Sequence, residues 1–256
     1  MTTFLAAIII LLASFLFAML GLGGGMVYIP TLHWLGFDFK TVAIPLGLLL
    51  NGLNTSLALI PYSRAGLVDW KGMWLMGVAA VIGAPIGALV EPLVPHDWLV
   101  AAFAAAVIAA AIRMTMVAGK PDAGKHIAMP LNRRMLWGGI SGLGIGFLGG
   151  MLGIGGGFII VPLLMWMGYP TKQAAATTAM VVTFSSFSGF LGHMAHGQFP
   201  PGITVFTAVA VLLGSQFGAR FMMHKAKTPA IKKVYAVVLF LISAKLLWEV
   251  GGNIFW

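Results

Sequence analysis

The chain contains no cysteine, so disulfides, thiol catalysis and iron–sulfur ligation are excluded, and the redox state of its compartment leaves no mark. It is also poor in charge. Only 8% of its residues are Asp, Glu, Lys or Arg, against about 25% in soluble domains. The 256 residues hold six carboxylates, and each lies in a polar loop or near the end of an apolar run. None is placed to act as a mid-membrane cation site or proton relay, and no pair is placed for hydrolysis. No Lys or Arg precedes the first apolar run at residues 4–20, so that run does not read as a cleaved signal peptide.

What is abundant is apolar. The chain is 60% hydrophobic with a mean hydropathy of +0.99. The expectation is an all-α polytopic membrane protein with about eight hydrophobic helices, each needing ~20 residues to span, and no room for a soluble catalytic domain. The net charge of +9 gathers in loops, as cytoplasmic loops of membrane proteins do, so nucleic acid is not an expected partner.

Two phrases organise the sequence. Gly21, Gly23, Gly24 and Gly25 interrupt one apolar stretch and lead to Pro30. Gly153, Gly155, Gly156 and Gly157 interrupt another and lead to Pro162, with the same spacing from glycine run to proline. Each glycine costs a helix interior about 1 kcal/mol, so these runs break or re-enter rather than continue. Gly83 and Gly87 recur as Gly214 and Gly218, the small-xxx-small spacing of close helix packing. The chain therefore divides into a first repeat (1–118), a basic cytoplasmic linker (119–134) and a second repeat (135–256).

Charge sets the orientation of the repeats. The loop at 91–97 has no Lys or Arg, while its counterpart at 220–233 has five. Arg64 and Lys71 flank the loop at 63–71, while its counterpart at 195–201 has none. The bias flips, so the repeats are expected to be inverted. Inversion requires an odd number of crossings per repeat. That makes the first segment and the short one after the glycines a hairpin entering and leaving on one side, followed by three crossings.

Backbone at membrane depth that is not helical must be buried in protein or line a watery cavity. A glycine run there exposes amides ahead of a short helix whose N-terminus is partly positive, which suits an anion. Pro30 and Pro162 are expected in the first turn of those helices. Asn51 and Asn54 share a helical face, and Thr183 and Ser186 hold the equivalent places in the second repeat. These residues are site candidates with the eight glycines; the same groups also serve as glue between helices. His193 joins them as a pH-sensitive gate or, more plainly, an interfacial residue, with His196 on the same face. A metal would want a further ligand, and neither metal nor cofactor is expected. An enzyme is not expected either: Ser185, Ser186 and Ser188 lie near His193 without a nucleophile motif.

The doubled glycine phrases with their following prolines, the paired Gly-x-x-x-Gly segments and the stretch 153–196 resemble the sulfite exporter TauE/SafE family over essentially the whole chain. The resemblance implies a multi-pass carrier of the cytoplasmic (inner) membrane for a small sulfur-containing anion such as sulfite or an organosulfonate. The combined expectation is alternating-access transport, outward by preference, with protons or the membrane potential as driving force. A passive anion channel is the alternative. The expected partners are the anion, protons and the bilayer, and the apolar faces are compatible with a homodimer.

Overall fold

The computed structural model describes residues 2–95 and 129–224, with isolated residues between 97 and 116 and between 237 and 244. Most of the expected fourth and eighth segments, residues 119–128 of the linker and the basic stretch 225–233 lie outside the described residues.

The described residues are helical, with no strand among them. Helices α1 (Thr2–Leu20) and α2 (Gly25–Trp34) flank the first glycine run. A π turn (Phe39–Ala43) leads into α3 (Ile44–Arg64), and α4 (Trp70–Val90) ends in a 3-10 turn (Glu91–Leu93). The second set is α5 (Leu131–Met151), α6 (Gly157–Trp166), α7 (Thr171–His193) and α8 (Pro201–His224). Helix α5 starts inside the stretch read as linker, because Arg134 is drawn into a polar cluster described below. Among the described residues, four stretches are long and apolar enough to cross a membrane: Phe39–Arg64, Trp70–Leu93, Thr171–His193 and Pro201–Met223.

The outward faces are apolar in the way lipid requires. On α4, Trp74, Val78, Ile82, Ile86 and Leu89 are exposed at three- and four-residue intervals, a stripe that water would penalise. The opposite face of α4 is made of small residues. A methyl group on Gly83 would fall 2.3 Å from the Leu143 carbonyl oxygen, and one on Gly87 would fall 2.0 Å from that of Phe147. From the other side, Gly142, Gly146 and Gly150 press on Met76, Ala80 and Ala84. Backbones approach this closely only where side chains are absent.

The same contact occurs a second time, with the repeats exchanged. Gly214 and Gly218 of α8 meet Leu11 and Phe15 of α1. In the register that sets Gly21 on Gly153, Leu11 and Phe15 correspond to Leu143 and Phe147. Each repeat thus packs its fourth described helix on the first helix of the other. In both seams the residue numbers rise together, so the paired helices run parallel. The equivalent helices α3 and α7 instead cross antiparallel: Leu48 lies by Gly189 and Asn51 by Ser186. Equivalent elements pointing in opposite directions are the signature of inverted repeats.

Within the first repeat, α1 and α2 close as a hairpin over the glycine run. The Ser14 and Tyr28 hydroxyls are 2.8 Å apart, and Tyr62 donates to the Ala18 carbonyl at 2.6 Å. The prolines differ from expectation. Both short helices begin at the last glycine of their run, so Pro30 and Pro162 stand inside the helix rather than in its first turn.

Candidate functional site

The two glycine runs meet at the middle of α3 and α7, and Asn51 is where they meet. Its Oδ1 accepts from the Gly25 amide at 3.0 Å. Its Nδ2 donates to the Ser186 hydroxyl at 2.8 Å and to the Ile154 carbonyl at 3.3 Å. One carboxamide therefore joins the first run, the second run and α7. A methyl on Gly23 would fall 1.8 Å from Asn51 Oδ1, and one on Gly155 would fall 2.4 Å from Nδ2. Gly23 and Gly155 have φ of +68° and +65°, a region that other residues seldom adopt. Both the space and the backbone demand glycine there.

Ser185, adjacent to Ser186, donates to the Gly155 carbonyl at 3.0 Å. Consecutive serines in the middle of an apolar helix are the available signal for it. Ile154 contributes only its carbonyl, which no side-chain pattern reveals.

The amides expected to cradle an anion are partly engaged. Gly21 donates to Ala18, Leu22 to Phe17 and Gly155 to Gly149, while Gly25 is held by Asn51. Gly24 and Gly156 cap the short helices without a side-chain partner. The amides of Gly23, Gly24, Gly156 and Gly157 make no hydrogen bond to protein among the described residues. Gly153 packs against Ile29 and Ile44. A narrow gap lined by Phe17, Leu22, Gly23, Met26, Ile154 and Phe158 separates the runs, with no room for a water molecule.

The remaining candidates divide. Asn54 is fully buried, one turn beyond Asn51, and neither its Oδ1 nor its Nδ2 has a hydrogen-bond partner. Thr183, the equivalent of Asn51, is turned back on its own helix and donates to the Ala179 carbonyl at 2.6 Å. His193, the last residue of α7, is not joined to Asn51. It is 3% exposed, and its Nε2 lies 2.9 Å from the Gly150 carbonyl. Two turns of α7 beyond Ser186 place it about 10 Å away.

Two polar clusters mark the ends of the molecule. At one end Asp69 caps α4 by accepting from the Gly72 amide at 2.8 Å. The same carboxylate pairs with Arg134 of α5 and accepts from Tyr169 at 2.6 Å. Its backbone amide donates to Thr177 of α7 at 3.0 Å. Burial pushes the Tyr169 phenol above its ordinary range, so it stays a donor. At the other end Lys40 donates to the Val94 carbonyl at 2.7 Å and sits 3.8 Å from the buried carboxylate of Glu91. Arg64, Lys71, Arg133, Arg134, Lys172 and Arg220 stand at the Asp69 end. Among the described residues, Lys40 is the one Lys or Arg at the opposite end.

The family profile named Sulfite exporter TauE/SafE matches residues 6–246. A probable membrane transporter protein, YunE of Bacillus subtilis, is 28% identical over 93% of this chain and 95% of its own. A probable membrane transporter of Methanocaldococcus jannaschii is 26% identical over 69% of this chain and 67% of its own. Sulfite exporter TauE/SafE family protein 3 of Arabidopsis thaliana is 31% identical over 43% of this chain and 24% of its own. No solved structure matches. An all-helical, lipid-faced chain built of inverted repeats around two glycine breaks, matched by this profile over nearly its whole length, belongs to the sulfite exporter TauE/SafE family of membrane transporters.

Proposed function

We propose that the chain is a secondary carrier for a small sulfur-containing anion such as sulfite or an organosulfonate, working by alternating access. The observation that carries this reading is the junction at Asn51. Uncharged donors converge there from the first glycine break and two antiparallel helices: the Gly25 amide, the Asn51 carboxamide and the Ser186 hydroxyl, with the Ile154 carbonyl of the second break accepting from Asn51. Inverted-repeat carriers hold substrate at such a junction of broken helices. Amide and hydroxyl donors stabilise an oxyanion without the cost of a buried cation.

The repeats correspond to residues 1–118 and 135–256, with 119–134 between them. The cation-rich end faces the cytoplasm of an inner membrane. An inside-negative potential then drives an anion outward with about 2.3 kcal/mol per charge per 100 mV, which favours export. Glu91, buried 3.8 Å from Lys40, supplies a carboxylate for proton coupling at the outer end, and a homodimer is compatible with the lipid-facing stripes.

The test is counterflow in proteoliposomes, with labelled sulfite outside and unlabelled sulfite or sulfoacetate inside. Saturable accumulation that needs the trans anion is expected. Conductance without saturation in an electrical recording would replace the carrier with a channel. Neither flux nor conductance with both anions would refute the substrate class.

A further inference from the structure

Asn51 occupies the position that the anion-carrier reading gives to substrate, and its contacts show how the two share it. The amide at the start of α2 is the donor a bound oxyanion would use. It is taken by a carboxamide oxygen, itself an oxygen acceptor of comparable size, at 3.0 Å. The side chain is fully buried and lies against both glycine runs, since a methyl on Gly23 or Gly155 would collide with it. The adjoining gap, lined by Gly23 and Ile154 among others, admits no water.

The dyad-related position behaves differently. Thr183 is too short to reach across and folds back onto Ala179, and the Gly157 amide has no protein acceptor among the described residues. Asn54 is the counterpart of Ser186, but where Ser186 receives Asn51 Nδ2, Asn54 is buried with both amide atoms unpartnered. A buried amide left without partners is costly, and a ligand or a changed side-chain arrangement removes that cost. The pseudo-symmetric junction thus has one half closed by its own side chain and one half with donors still to satisfy.

We infer that the Asn51 carboxamide is a displaceable internal ligand. Its Oδ1 holds the Gly25 amide until a substrate oxygen takes that place. The freed Nδ2, the Ser186 hydroxyl and the Asn54 amide then donate to the anion. The apparent affinity for substrate is lowered by the fraction of molecules in which Asn51 still fills the site. The junction is thereby kept satisfied and closed to water when no anion is present. This inference rests on the anion-carrier reading and specifies how that site is regulated.

Two measurements on the full-length protein test it, with sulfite and sulfoacetate as probes. The first compares the anion-induced rise in melting temperature in wild type, Asn51→Asp and Asn51→Ala. Asp keeps an acceptor on the Gly25 amide and adds a charge, so anion binding should weaken by about tenfold or more. Ala removes the competitor as well as one donor, so its loss of binding should be at least about threefold smaller than that of Asp. Equal losses in both variants would make Asn51 an ordinary ligand and overturn the inference. A loss confined to Ala would make it a structural brace and overturn the inference equally.

The second measurement needs no variant of the site. The sequence has four asparagines, Asn51, Asn54, Asn132 and Asn253, so selective 15N-asparagine labelling gives four side-chain amide signals. Addition of sulfoacetate should move those of Asn51 and Asn54 and leave the other two. Saturable binding with the Asn51 signal unmoved would overturn displacement. Failure of wild type to bind or transport either anion would instead refute the carrier reading, and the inference with it.

Discussion

The glycine seams give a prediction whose size follows from the coordinates. Gly87→Ala puts a methyl 2.0 Å from the Phe147 carbonyl oxygen, where ordinary contact begins at 3.4 Å. The obstacle is backbone, which cannot rotate away, so α4 and α5 must separate locally to make up the shortfall between those two distances. A gap of about 0.5–1 Å already forfeits a quarter to a half of each dispersion contact across it, and overpacking of this kind costs roughly 1–3 kcal/mol. Against that stands the better helix propensity of Ala, worth about 1 kcal/mol. Because the control gains the same propensity without a clash, the net expectation is a destabilisation of about 1–3 kcal/mol relative to it. Gly77→Ala is that control, on the same helix with nothing within 4 Å of the added methyl. Thermal unfolding in one detergent should place Gly87→Ala clearly below Gly77→Ala. The exchanged seam should respond alike, since Gly218→Ala meets the Phe15 carbonyl oxygen at 2.1 Å. If Gly87→Ala melts at or above Gly77→Ala, the seams are not the close contacts described, and the exchanged packing of the repeats loses its support.

Asn54→Leu replaces a buried, unpartnered amide by an apolar group of similar volume, so it should raise stability by about 1 kcal/mol while lowering anion counterflow. A rise in both would dissociate Asn54 from the site. Asp69→Asn leaves Arg134 without its counter-charge in a half-buried setting and should destabilise by about 2 kcal/mol, measurable as a lower melting temperature. Tyr169→Phe removes the hydrogen bond to the same carboxylate and the one its hydroxyl accepts from Arg134 at 3.0 Å, while leaving the ion pair in place, and should cost about 1 kcal/mol; a larger effect than that of Asp69→Asn would refute the ranking. Because the sequence has no cysteine, Asp38→Cys and Arg64→Cys each carry a single thiol. A membrane-impermeant reagent on intact cells should label the first and spare the second; labelling of both would refute the assigned orientation.

Much of this architecture is legible because membranes restrict what a sequence does. A run of glycines in apolar surroundings has few uses, and its recurrence in the second half of the chain carries its neighbours Asn51, Thr183, Asn54 and Ser186 into register. The flip of charge between equivalent loops announces the inversion that the antiparallel α3 and α7 display. The choice of partners is not legible. Gly83 and Gly87 advertise that some helix packs closely, but spacing alone does not say that it is α5, the first helix of the other repeat. Equal polarity at Asn51 and Thr183 also conceals unequal reach: a carboxamide bridges to Gly25 and Ile154, while a threonine hydroxyl turns back on its own helix. The cluster of Asp69, Arg134 and Tyr169 joins residues from distant parts of the chain, and each of the three reads individually as an ordinary loop or helix-end residue. Pro30 and Pro162 stand deeper in their helices than the sequence suggests, because the helices begin on glycine itself.

The exchange of seams between repeats also sets an order for biosynthesis. Helix α4 finds its partner early, because α5 is the next described helix to follow it. Helix α1 does not, because its seam partner α8 begins only at Pro201. During synthesis the bare backbone face at Leu11 and Phe15 must wait through most of translation. In that interval α1 is held by what its own half supplies, the Ser14–Tyr28 and Tyr62–Ala18 hydrogen bonds. A ribosome that stops after the first repeat therefore releases a half whose first helix lacks its α8 partner.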